Sequence, residues 1–121
     1  MRRPLFRRLV RQTFADLPPD IRRLLANVAI VIKWQPSPAD LRQTGLGPGE
    51  TLFGLYQGTP LPQRSSYDLA LPDRIVLYQE PLERTCHDRD TLREEVRRTL
   101  LHEIAHYLGI EEERLEEMGL G

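Results

Sequence analysis

Two of the three histidines in this chain fall four residues apart, in His102-Glu103-Ile104-Ala105-His106. On a helix that spacing puts both imidazoles on one face, about one turn apart, where they can direct ring nitrogens at a single metal ion. Glu103 follows the first of them. In H-E-x-x-H sites this carboxylate lies beside a zinc-bound water and serves as general base. Zinc lowers the pKa of that water toward about 7 and polarises a carbonyl under attack. The expected chemistry is metal-assisted amide hydrolysis, with Glu103 catalytic, His102 and His106 as ligands and zinc as cofactor. It requires a third ligand and an open coordination position.

The pattern continues as His106-x-x-Gly109-x-x-Glu112, so Glu112 stands where the long metzincin motif carries a third histidine. Gly109 turns the chain back toward the metal, and a carboxylate ligates zinc at about 2.0–2.2 Å, as readily as an imidazole does. Glu111 and Glu113 flank Glu112, and Glu116 lies one helical turn beyond it. Glu112 is therefore the leading third ligand, with Glu116 and Glu111 as alternatives. Residue type makes Tyr56, Arg64, Tyr67 and Tyr107 candidates for stabilising a developing negative charge. Arg64 and Tyr67 lead as substrate-binding residues, because both lie on the long connection between Gly58 and Asp73, and a loop of that length is usually functional or mobile.

These residues need a scaffold. Leu92, Val96, Leu100, Ile104 and Leu108 recur at helical spacing and place an apolar stripe on the segment carrying both histidines. Thr91-Leu92-Arg93-Glu94 has the spacing of a capping box, and Gly109 suits the helix end. At the other end of the chain, Leu5, Phe6, Leu9, Val10, Phe14 and Leu17 predict an amphipathic helix over residues 4–17, stopped by Pro18-Pro19. Ile21, Leu24 and Leu25 predict a short second helix that Asp20 opens or caps. Residues 28–34 are β-branched and bounded by prolines, which predicts a buried strand. A second strand is expected over Thr51–Tyr56, weakened by Gly54, and a third over Arg74–Gln79, ended by Pro81. A helical turn is expected near Ala39–Arg42, and a short acidic helix between Glu111 and Gly121.

With 121 residues, 40% hydrophobic and 29% charged, the chain fits one domain, residues 1–121, with one modest core. A formal charge of −1 gives no overall attraction to nucleic acid, and no partner of that kind is expected. Neither an apolar run of membrane-spanning length nor a signal peptide is visible, so no membrane association is expected. The lone Cys86 cannot close an intrachain disulfide, which favours the cytoplasm. Arg2, Arg3, Arg7, Arg8 and Arg11 read as the solvated or ion-paired face of a packing helix, because basic residues alone specify no groove or lipid. A closed structural metal site using Cys86 or His87 with the two helical histidines is the rival from another class. It leaves Glu103 without a role and gives water no position.

The extended zinc motif occurs together with Gly54-Leu55-Tyr56-Gln57-Gly58, Pro60-Leu61, Arg64-Ser65 and Leu71-Pro72-Asp73-Arg74-Ile75. In this combination the chain resembles the small bacterial zincin-like metallopeptidase family, over nearly its whole length. The resemblance implies an α/β (α+β) minimal zincin-like fold, with a small three- to four-stranded sheet packed against an active-site helix and an N-terminal helix. It also implies His102, His106 and a downstream acidic residue, here Glu112, as zinc ligands and Glu103 as base; a peptide or protein as substrate is expected from the zinc motif in its helical context. The alternative is a non-catalytic metal-binding or partner-binding domain that has kept the zincin helix.

Overall fold

The β-branched run after Asn27 forms strand β1, Val28–Lys33, and the apolar run after Pro72 forms β3, Asp73–Tyr78. They pair in parallel, Val28 opposite Asp73 through Lys33 opposite Tyr78. Strand β2, Gly54–Gln57, pairs antiparallel on the other side of β3, which gives a mixed three-stranded sheet in the order β1-β3-β2. The computed structural model describes residues 1–44, 52–58 and 73–117, with only the backbone described at Glu112.

Central position explains why β3 is apolar on both faces: Ile75, Val76, Leu77 and Tyr78 are all fully buried. Ile75 and Leu77 join the main core, whereas Val76 and Tyr78 join a smaller cluster with Leu55 on the opposite face. The sequence predicts a buried β1, and this is corrected: most of its side chains are only half-buried, because it is an edge strand.

Helices cover the face of the main core. Helix α1, Arg3–Ala15, buries Phe6, Leu9, Val10 and Thr13, while Leu5 on its other side stays exposed. Helix α2, Pro19–Leu24, adds Ile21, and Asp20 lies in its first turn without capping it. Helix α3, Pro38–Thr44, sits across the sheet's second face and is tied there by the buried Asp40. The Ser37 and Asp40 side chains each accept from the other's backbone N–H, at 3.1 Å, as a capping box. The same carboxylate accepts from the Tyr78 hydroxyl at 2.9 Å, from Gln57 at 3.3 Å and from Lys33 at 3.5 Å. One side chain thus joins α3 to all three strands.

The sequence misses helix α4, Gln79–Thr85, because Pro81 reads as a stop. Proline in a first helical turn costs nothing, since the N–H it lacks would have no intrahelical partner. Helix α5, Arg89–Leu108, is about 30 Å long and packs on α1, β2 and β3. It starts before the expected Thr91 capping box. Asp88 is the N-cap, accepting from the Thr91 N–H and hydroxyl at 2.8 Å each. Leu92, Val96, Leu100 and Ile104 are buried as expected. Helix α6, Glu112–Glu117, follows Gly109 and is anchored to the core by Leu115.

Candidate metal centre

The last two turns of α5 sort their residues by face. Ile104, Ala105 and Tyr107 point into the core, whereas the His102 and His106 side chains are 59% and 65% exposed. Their rings lie 6.4 Å apart, centroid to centroid. Both line an open cavity of about 400 Å³ whose other walls are Ala105, Ile110, Glu111 and Glu113. The cavity exists because Gly109 takes the left-handed conformation, φ 70° and ψ 32°, which ends the helix and reverses the chain. Its N–H and that of Ile110 return to the carbonyls of His106 and Ala105, at 3.2 and 3.0 Å. The acidic turn that follows is therefore folded back over the histidines.

Glu103 behaves differently from its neighbours: it is 4% exposed. Its carboxylate lies between the two imidazoles, Oε2 at 3.7 Å from His102 Nε2 and Oε1 at 3.7 Å from His106 Nδ1. Both distances exceed hydrogen-bond range. Oε1 accepts instead from the backbone N–H of Tyr56, at 2.8 Å.

That donor is available for a topological reason. In the antiparallel pair, Tyr78 N–H donates to Phe53 O, so Phe53, Leu55 and Gln57 turn their backbone groups toward β3. Gly54 and Tyr56 turn theirs outward, on the free edge of the sheet. The outward N–H reaches Glu103 because β2 lies very close to α5. A Cβ on Gly54 would stand 2.6 Å from Thr99 Cγ2 and 3.1 Å from the Val76 carbonyl oxygen. The Tyr56 hydroxyl donates to Asp73 at 2.7 Å, and its ring lies 6.3 Å from the His106 ring and 5.6 Å from that of Tyr107. Gly58, with φ 149°, leaves room for this pair, since a Cβ there would meet Asp73 Oδ1 at 2.2 Å.

The family profile described as zincin-like metallopeptidase matches residues 25–121. The chain belongs to the zincin-like metallopeptidase family. A conserved hypothetical protein from T. thermophilus has a similar solved structure, with a TM-score of 0.59 and 27% identity over 95% of this chain and 97% of that one. No curated protein matches the chain. Among the described residues no helix is long and apolar enough to cross a membrane.

For this zincin-like chain the structure brings His102, Glu103 and His106 together. Glu112 opens α6 in the acidic turn, its side chain outside the described residues, while Glu116 is exposed on α6. Glu111 and Glu113 face the histidine cavity directly. Among the described residues no set of three His, Cys, Asp or Glu side chains forms a ready-made metal cage. The donor chemistry nonetheless fits a divalent cation, with two imidazoles on one face and carboxylates walling the same cavity. Arg64 and Tyr67 lie outside the described residues. Of the other two stabiliser candidates, Tyr107 packs in the core and the Tyr56 hydroxyl bonds Asp73. The rival site using Cys86 fails on distance, because Cys86 and His87 precede α5 and so lie about 20 Å along its axis from His102.

Sequence reasoning misses the Tyr56 N–H and the tight approach at Gly54. A main-chain donor leaves no mark in residue type. The glycine was legible, since Gly within a strand often marks a close backbone approach.

Proposed function

We propose that the chain is a zinc-dependent peptidase whose general base is Glu103. The observation that carries this reading is the buried carboxylate held between two exposed imidazoles at an open cavity. His102 and His106 would hold the ion, with Glu112 from the acidic turn as third ligand. Glu111 and Glu113 are alternatives supported by their place in the cavity wall, and Glu116 is the weakest, being exposed on α6. When bound there, zinc supplies the acidity that makes water nucleophilic at neutral pH and a positive charge for the scissile carbonyl oxygen.

The chain's own residues do the rest. Tyr56 N–H fixes Oε1 of Glu103, so the carboxylate cannot swing away and Oε2 faces the His102 side of the cavity. There Oε2 takes the proton of the attacking water and returns it to the leaving amine. The substrate is a peptide or protein segment, with Arg64 and Tyr67 as its binding residues, and the lone Cys86 favours the cytoplasm as the compartment. A non-catalytic metal domain would call for an occluded site, and the exposure of both histidines does not favour it.

The test is a chelator-controlled assay of zinc-reconstituted protein on a peptide library, with Glu103→Gln alongside. Gln keeps an acceptor for Tyr56 N–H, so fold and zinc content should persist while cleavage falls by about 10²–10⁴. Absence of cleavage by zinc-loaded wild type, or cleavage unchanged in E103Q, would overturn the proposal.

A further inference from the structure

Away from the histidines, the other edge of the sheet is also open. Pairing with β3 uses the backbone groups of Ala29, Val31 and Lys33, because Val76 and Tyr78 of β3 turn theirs toward β2. Val28, Ile30 and Ile32 face outward. Val28 N–H donates to Leu25 O, and Ile32 O accepts from Arg3 at 3.3 Å. Between these two, Ile30 offers an N–H and a carbonyl to which no described residue is hydrogen-bonded.

The same edge borders a groove of about 450 Å³ between α1 and β1. Its floor is apolar, from Val10, Phe14, Ile30 and Ile32, and Arg7 and Arg11 stand over it one helical turn apart. Neither arginine has an ion pair or hydrogen bond among the described residues, although Arg93 and Arg98 elsewhere are paired with carboxylates. Among the described residues no acidic side chain lines the groove.

We infer that this groove is a docking site for an extended, acidic segment of a partner protein, which adds as a strand to the edge of β1. The edge of β1, open at Ile30 between the engaged Val28 N–H and Ile32 carbonyl, recognises a peptide backbone, the apolar floor takes one face of the segment, and Arg7 and Arg11 select carboxylates on it. A second copy of this chain fits poorly. Antiparallel pairing of two β1 edges about a two-fold axis sets the two α1 helices side by side, with four arginines along one seam. A nucleic acid would meet the positive charge but has no use for the apolar floor or the strand edge.

Trp34, half-exposed just after β1 and the single tryptophan, is a built-in reporter. The probe is a blocked peptide of alternating Val and Glu, as long as β1. It is compared with its Val-Lys counterpart, with the Val-Glu peptide N-methylated along one edge, and with a short single-stranded oligonucleotide. Saturable quenching or shift of Trp34 emission is expected with the Val-Glu peptide only. Arg7→Glu with Arg11→Glu should weaken that binding at least about tenfold and create binding of the Val-Lys peptide. Both arginines are exposed, so the variant should match wild type in circular dichroism. Failure of the Val-Glu peptide to bind, equal binding after N-methylation, or tighter binding of the oligonucleotide would overturn the inference.

Discussion

Replacing Gly54 by Ala tests whether close contact between β2 and α5 holds Glu103, the proposed base, in place. The new Cβ would stand 2.6 Å from Thr99 Cγ2, far inside van der Waals contact, with the Val76 carbonyl oxygen at 3.1 Å behind it. Thr99 is 7% exposed on a packed helix, and its β-branched side chain has few rotamers to escape into. Strand and helix must separate, at an overpacking cost of about 1–3 kcal/mol. Separation also stretches the Tyr56 N–H bond to Glu103, and a hydrogen bond to a charged group contributes about 1.5–3 kcal/mol. Against this, alanine in a strand is favoured over glycine by roughly 0.5–1 kcal/mol. With the stretched bond weakened and not broken, so that only a part of its contribution is lost, the net expectation is a loss of about 2 kcal/mol, or a Tm lower by roughly 6–10 °C for a domain of this size. Urea and thermal unfolding of G54A, T99S and the double variant read it. Thr99→Ser removes the clashing methyl, so the double variant should recover at least about 1 kcal/mol beyond additivity. If G54A is as stable as wild type, or T99S gives no rescue, the contact does not position β2 as argued.

Two other perturbations probe separate parts of the fold. Burial disfavours the Asp40 carboxylate, but the Ser37 N–H, the Tyr78 hydroxyl and the Lys33 ammonium outweigh it and hold its pKa below the usual value. The stabilisation it provides is therefore complete above the unfolded-state pKa near 3.9 and is lost as pH falls through the lower folded value. Asp40→Asn should be less stable than wild type at neutral pH, with the gap narrowing below about pH 4; a gap independent of pH would refute this. Gly109→Ala forces a Cβ into the left-handed conformation at a cost of about 1–2 kcal/mol and shifts the acidic turn. Zinc affinity, read by competition with a chromophoric chelator, should fall about tenfold, and unchanged affinity would separate the turn from the metal.

How far the sequence reveals this molecule depends on whether a feature resides in side-chain pattern or in chain topology. Helix α5 and strands β1 and β3 are legible because Leu92, Val96, Leu100 and Ile104 keep a helical period and Val28–Ile32 and Ile75–Tyr78 are β-rich runs. Helix α4 is hidden because Pro81 both ends strands and opens helices. The half-exposure of β1 is hidden because strand order is not written locally, and an edge strand can be as apolar as a central one. At the candidate metal centre, His102, Glu103, His106 and Gly109 are legible from spacing. The burial of Glu103 and its bond to the Tyr56 N–H arise only once β2 lies across α5, which depends on pairing between residues far apart in sequence.

The central claim is that the two histidines of α5 hold a zinc ion, and metal content tests it most directly. Protein purified under metal-replete conditions should carry about one zinc per chain. The double variant His102→Ala, His106→Ala should carry close to none while unfolding like wild type without metal, because both side chains are largely exposed. A metal-free wild-type protein, or equal zinc in the variant, would contradict the account.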